Sequence, residues 1–154
     1  MRRTLQQSVV IILLGVGLGL AANQSSSRGL ALVTPPKPAV KAEEFLALEQ
    51  AKLFWQSGNA LFLDAREPAD YAAGHIASAL NLPAQSFERH FGEIAPLLTP
   101  ESRLILYCDG TECELSHRVR GNLRQLGYTN THLLFNGWTT WRQAGFPTAL
   151  GGPP

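Results

Sequence analysis

From about residue 41 onward, short apolar runs alternate with amphipathic stretches. "LEQAKLFWQSG" places Leu48, Ala51, Leu53, Phe54 and Trp55 at roughly helical spacing and predicts a helix stopped by Gly58. "ALFLDARE" is a continuous apolar run that ends in charge, the pattern of a strand buried on both faces. "EPADYAAGH" predicts a short helix with Pro68 early and Gly74 at its end. "SALNLP" predicts a strand closed by Pro83, and "SFERHFGEIAPLL" a helix that runs until Pro96. "RLILYC" is the clearest buried strand. In "LSHRVRGNLRQLGY", Leu115, Val119, Leu123 and Leu126 fall on one face, so an amphipathic helix is expected, ended by Gly127. "THLLFNG" predicts a further strand with a turn, and "WTTWRQAG" a last short helix stopped by Gly145 and Pro147. Strands and helices in alternation predict an α/β domain with a mainly parallel sheet and helices on both faces.

The amino-terminal segment follows a different pattern. Arg2 and Arg3 precede an uncharged apolar run from about Val9 to Ala22. A basic start followed by an apolar stretch is the layout of an export signal. As helix, 14 residues cover about 21 Å, short of the roughly 30 Å hydrocarbon core, which favours a signal over a span. With its polar flanks drawn in, the same run can serve as an uncleaved anchor, the arginines remaining cytoplasmic. Both outcomes predict a domain outside the cytoplasm, periplasmic or facing outward from a membrane. Residues 23–41 carry three serines and then "TPPKPAVK", which predicts an extended linker. The expected organisation is therefore a signal or anchor over 1–22, a linker over 23–41 and one domain over 42–150.

Composition narrows the function. The 154 residues are 45% hydrophobic and only 16% charged, with a formal charge of +1. No basic run or patch marks a nucleic-acid partner. Two cysteines are too few to build a disulfide scaffold, so apolar packing must supply the core. Both lie in "YCDGTECELSHRVRGNLRQLGY", as Cys108 and Cys113.

In open parallel sheets, ligands bind beyond the carboxyl ends of strands, and the run Arg103 to Tyr107 delivers Cys108 there. A loop of inward-pointing N–H groups and a following helix N-terminus favour thiolate over thiol. Gly110 permits a positive φ inside the loop, and Ser116 is expected to cap the helix after it. The alternative is a small buried residue at a strand end. Cys108, Cys113 and His117 do not have a recognised zinc spacing, so neither metal nor cofactor is expected.

The ordered set "FLDAREPADYAAGHIASALNLP", "LILYCDGTECELSHRVRGNLRQLGY" and "LLFNGWTTWRQAGFP" resembles a single rhodanese homology domain over about residues 43 to 148. The resemblance implies a rhodanese-like α/β fold with a central, mainly parallel five-stranded sheet. It implies a sulfurtransferase that carries sulfane sulfur as a persulfide on Cys108, loaded by a donor and unloaded by an acceptor nucleophile. Asp64 and Arg66 in "DAR" match the family's first signature; they either brace the site from the neighbouring strand end or, the favoured reading, form a structural ion pair. His75 reads as structural. Asn136, Gly137 and Trp138 resemble the family's turn before the last helix, with Gly137 expected to supply backbone freedom and Trp138 and Trp141 to pack the domain.

The loop departs from the family pattern. Catalytic rhodaneses usually place an arginine five positions after the cysteine, followed by serine; here those positions are Cys113 and Glu114, and the matching serine is Ser116. The chain resembles a variant with a second cysteine, found often in exported bacterial proteins. A phosphatase reading fails because its loop needs arginine where Glu114 stands. The expected active-site loop is Asp109, Gly110, Thr111, Glu112, Cys113, Glu114 and Ser116. Its three carboxylates repel an anionic donor such as thiosulfate and oppose thiolate formation; Arg118 is the nearest candidate to compensate. A small sulfane-sulfur donor or thiol persulfide, or a protein acceptor, fits the charge better, with membrane contact only through an uncleaved N-terminus. The competing expectation is a non-catalytic or redox-sensing module with a Cys108–Cys113 disulfide.

Overall fold

The computed structural model describes residues 2–25, 45–110 and 114–152. The chain divides into two units, Met1–Ala39 and Val40–Pro154. In the first, α1 (Arg2–Ser25) is one continuous helix of 24 residues. Its window Gln6–Asn23 has mean hydropathy 1.5 and no buried residue. At 1.5 Å per residue the helix is ~36 Å long, enough to cross a membrane by length and composition. The apolar run alone is too short for this. The polar flanks close the gap because nothing in "TLQQS" or "NQS" breaks helix geometry.

The second unit is built on a five-stranded sheet with strand order β1-β6-β5-β2-β4, every neighbouring pair parallel. The strands are β1 (Phe45–Leu46), β2 (Leu61–Asp64), β4 (Leu80–Asn81), β5 (Leu104–Tyr107) and β6 (Thr131–Leu134). The helices are α2 (Leu48–Ser57), α3 (Pro68–Ala73), α4 (Phe87–Ile94), α5 (Glu114–Gln125) and α6 (Gly137–Gln143). A separate antiparallel pair joins β3 (His75–Ile76) to β7 (Thr148–Ala149). This is the α/β sheet with helices on both faces that the alternating pattern predicts.

The sheet separates two apolar layers, and period-two alternation decides which residue enters which. Leu63, Leu104, Leu106 and Leu133 face one layer with Val119 and Leu123 of α5 and Phe87 and Ile94 of α4. Phe62, Ile105, Tyr107 and Leu134 face the other with Ala51 of α2 and Trp138 and Trp141 of α6. All four residues of β5 are inaccessible to solvent, which is why its sequence is an unbroken apolar run. Each such side chain contributes about 1.5–3 kcal/mol.

Several sequence expectations are corrected. Leu53 and Leu126 are 64% and 53% exposed, so they lie off the buried faces of their helices. By contrast, the α4 helix does stop just before Pro96, at Ile94, and a single 3-10 turn, Ala95–Leu97, follows it. The helix after Cys108 begins at Glu114, so Ser116 is inside its first turn and is not its cap. Gly137 is not where the turn needs backbone freedom: Asn136 takes the positive φ, at 44°.

Candidate active site at the end of the central strand

Strand β5 ends at Tyr107, and the next residue, Cys108, is 1% exposed. Its sulfur lies 3.5 Å from the Ser116 hydroxyl, which is fully buried. The misplaced cap is thus a sulfur neighbour: starting α5 two residues earlier turns Ser116 inward toward the strand end. Gly110 has φ +89°, the conformation that glycine was expected to allow. Glu114 opens α5 in an exposed position, where its charge suits the positive end of the helix dipole. Thr111, Glu112 and Cys113 lie outside the described residues.

The loop is held from the side by the β6–α6 turn. The Trp138 N–H donates to the Cys108 carbonyl at 3.2 Å. The Gly110 N–H donates to Asn136 Oδ1 at 2.9 Å and to its neighbour's Asp109 Oδ1 at 3.0 Å. The Thr139 hydroxyl makes a short hydrogen bond to Asp109 Oδ1. In the sequence Asn136 stands out only as part of a turn, and nothing there marks Thr139. The one available signal was an asparagine before glycine, a residue type that tolerates positive φ.

Asp64 and Arg66 form a buried pair at the end of β2. Arg66 Nε stands 3.0 Å from Asp64 Oδ1 and Nη2 stands 2.6 Å from Oδ2. Nη2 also donates to the Gly74 carbonyl at 2.7 Å. The guanidinium lies over the Trp138 ring, 4.9 Å from its centre. Burial by itself would lower the Arg66 pKa, but the hydrogen bonds and charge of Asp64, with Tyr107 and Asp109 beyond, outweigh it and raise the pKa. Burial first, and then the Asp64 charge, pushes the Tyr107 phenol up. That phenol stays neutral and its oxygen accepts the Ile76 N–H at 3.1 Å.

The remaining candidates are placed elsewhere. Arg118 is exposed and lines a groove with residues 84–89 rather than the cysteine loop. His75 is buried, stacked 3.8 Å from the Tyr71 ring with Nδ1 2.9 Å from the Tyr71 carbonyl, an arrangement that builds the fold. His117 rests edge-on against Phe45, and burial lowers its pKa. Among the described residues, no group of three or more His, Cys, Asp or Glu gathers to hold a metal ion.

A buried thiol at the carboxyl end of the central strand, with a hydroxyl beside it and Cys108, Asp109 and Gly110 held by the β6–α6 turn, can serve as a covalent carrier. Residues 47–144 match the family model for the rhodanese-like domain. The chain belongs to the rhodanese-like family. The fold agrees with solved family structures. The rhodanese-like chain superposes on a thiosulfate sulfurtransferase from Pseudomonas aeruginosa with a TM-score of 0.57 at 25% identity, covering 69% of this chain and 20% of that one. On a human single-domain sulfurtransferase the TM-score is 0.56 at 24% identity, covering 65% and 96%. Among curated proteins, a helix-turn-helix-type transcriptional regulator of Mycobacterium tuberculosis is 29% identical over 118 residues, 77% of this chain and 47% of the regulator. The chain spans less than half the length of that relative, and a third of a tRNA uridine(34) hydroxylase from Photorhabdus laumondii.

Proposed function

We propose that this rhodanese-like protein is a sulfurtransferase or sulfane-sulfur carrier, with Cys108 as the atom that bears the sulfur. The observation that carries the reading is Cys108 at the end of β5, its sulfur 3.5 Å from the buried Ser116 hydroxyl. The Cys108 thiolate attacks the outer sulfur of a donor. The donor's sulfur–sulfur bond breaks, its thiolate leaves with the bonding pair, and a persulfide remains on Cys108. An acceptor nucleophile then takes the outer sulfur and regenerates the Cys108 thiolate. Each step exchanges one bond to sulfur for another and needs no external oxidant. The Ser116 hydroxyl is placed to donate to the anionic sulfur.

The charge of the loop bears on the donor. Asp109, Glu112 and Glu114 follow the cysteine in sequence, and no cation replaces the family arginine at position 113. A doubly charged donor such as thiosulfate is disfavoured there, and thiol persulfides are the better class. Helix α1 supports an extracytoplasmic site of action, with the chain exported or tethered through its N-terminus.

Intact-mass spectrometry of the reduced protein after exposure to a sulfane-sulfur donor tests the reading. A gain of one sulfur is expected, retained in Cys113→Ser and lost in Cys108→Ser. Loss of two hydrogens with no uptake of sulfur, even after reduction, would overturn it in favour of a Cys108–Cys113 disulfide module.

A further inference from the structure

A groove of about 510 Å³ runs between the flank of α5 and the segment that leads into α4. Arg118 and Asn122, one helical turn apart, form one wall; Ser86, Glu88 and Arg89 belong to the other, and Ala84 lies between. The lining is mostly polar, unlike the apolar cavity on the far side of α4. Neither the Arg89 nor the Arg118 guanidinium makes an ion pair or hydrogen bond among the described residues. Two guanidiniums thus face one groove against a single carboxylate, Glu88, and the groove is net cationic.

The distance from this groove to the sulfur follows from the sheet. The Ala65 N–H bonds the Tyr107 carbonyl, so Ala65 stands level with the start of the cysteine loop. The Ala65 carbonyl in turn accepts the Ala84 N–H. Ala84 is therefore about two strand spacings from the cysteine, on the order of 10 Å. The other wall is tied to the same point, since Ser116 touches the sulfur and Arg118 lies two residues further along the helix. The acidic residues thus lie beside Cys108 in sequence, and the two arginines line a groove whose Ala84 backbone stands roughly 10 Å from the cysteine.

We infer that this groove binds the carboxylate of an organic thiol persulfide, with Arg118 and Arg89 as the anion-holding residues and the sulfane sulfur reaching Cys108. The inference rests on the sulfurtransferase reading and names its substrate class. The separation suits a peptide-sized thiol whose carboxylate is distant from its sulfur. It does not suit thiosulfate, whose charge lies at the sulfur itself. A guanidinium fork matches a carboxylate in two hydrogen bonds, which gives both charge and direction to the bound molecule. The chemistry at the sulfur is unchanged: the Cys108 thiolate takes the outer sulfur of the persulfide, and the organic thiolate leaves.

Glutathione persulfide and its diethyl ester are the matched probes, equal at the sulfur and different at the carboxylates. The readout is the rate of persulfide formation on Cys108, followed by mass spectrometry at varied donor concentration in the full chain. Wild-type protein is expected to load from the acid at about a tenfold lower half-saturating concentration than from the ester. Arg118→Gln and Arg89→Gln are expected to remove most of that advantage, bringing the half-saturating concentrations of acid and ester together. Added salt should weaken the acid and not the ester. Equal loading by acid and ester in the wild type overturns the groove, as does a loss that is the same for both donors in the arginine variants. If neither donor loads wild-type Cys108, it is the sulfurtransferase reading that fails, so the two failures are distinguishable.

Discussion

The Asp109 carboxylate, next to Cys108, is bonded by the hydroxyl of Thr139 from the first turn of α6. Thirty residues separate the pair in sequence. The contact turns the nearest acidic group of the loop toward α6, where the Gly110 N–H also meets it. It joins two strand ends that sit side by side, since β5 and β6 pair through Tyr107 and Leu134.

Releasing that carboxylate should impair the cysteine. In Thr139→Val the hydroxyl is lost at nearly constant volume, and Asp109 is free to turn toward the sulfur. A hydrogen bond of this kind contributes about 0.5–1.5 kcal/mol, so sulfur loading of Cys108 should slow by roughly two- to tenfold. Thr139→Ser should restore the rate, and Asp109→Asn should make the Thr139→Val change nearly silent. Rates of Cys108 alkylation by a neutral reagent across pH provide the measurement. An unchanged profile in Thr139→Val would exclude a part for the contact in tuning the thiol.

The Asp64–Arg66 pair predicts a larger, purely structural loss. The Asp64 side chain is fully buried and that of Arg66 is 7% exposed. Asp64→Asn leaves a buried guanidinium without its counter-charge, which costs about 3–5 kcal/mol. Arg66 also loses the bidentate geometry that holds it over the Trp138 ring and against the Gly74 carbonyl. Urea unfolding should show the decrease in midpoint. A double replacement by apolar residues of similar volume should recover part of it, because removing both charges removes the desolvation cost as well.

What the sequence made legible follows burial. Strands β2 and β5 are enclosed on both faces, so each appears as an unbroken apolar run, and α5 announces itself through Val119 and Leu123. β1, β3 and β7 have two residues each, too few for any period to show. The position of Cys108 was legible because it ends the clearest strand. The function of Ser116 was not, since a serine near a helix start is read as a cap unless the helix boundary is known to a residue. Thr139 was invisible for a different reason: its partner is brought to it only by strand pairing. The Asn136–Gly137 dipeptide offers two residues able to adopt positive φ, and only close packing decides that asparagine takes it.

The histidines give the fold a pH dependence of definite sign. Burial lowers the pKa of His117, and burial with the charges of Arg103 and Arg124 lowers that of His132. A lowered histidine pKa means that the unfolded chain takes up protons first as pH falls below the ordinary value near 6.5. Stability is therefore complete above that value and is lost as pH falls from about 6.5 through the folded-state pKa values. Urea midpoints measured from pH 7.5 to pH 5 should decline. The decline should be shallower in His117→Gln and His132→Gln. A slope that is identical in both variants would assign the pH dependence to other groups.

Gly137 and Gly121 should respond oppositely to the same substitution. A Cβ on Gly137 would stand 2.5 Å from the Tyr107 Cβ and 3.1 Å from Leu134 Cγ. The Tyr107 Cβ cannot swing aside as a chain end can. Its ring is fully buried, and its hydroxyl is fixed by the Ile76 N–H. Accommodating the methyl requires β5 or α6 to shift, at a cost of about 1–3 kcal/mol. Such a shift also strains the Trp138 N–H bond to the Cys108 carbonyl, one residue along from each of the two clashing positions. Gly137→Ala should therefore lower the urea midpoint and slow sulfur loading together. A Cβ on Gly121 meets nothing within 4 Å, and its backbone is already helical within α5. Gly121→Ala should stabilise by about 0.5–1 kcal/mol through helix propensity alone, with sulfur loading unchanged. Equal effects of the two changes on stability would show that β5 and α6 are not in the close contact that places Cys108.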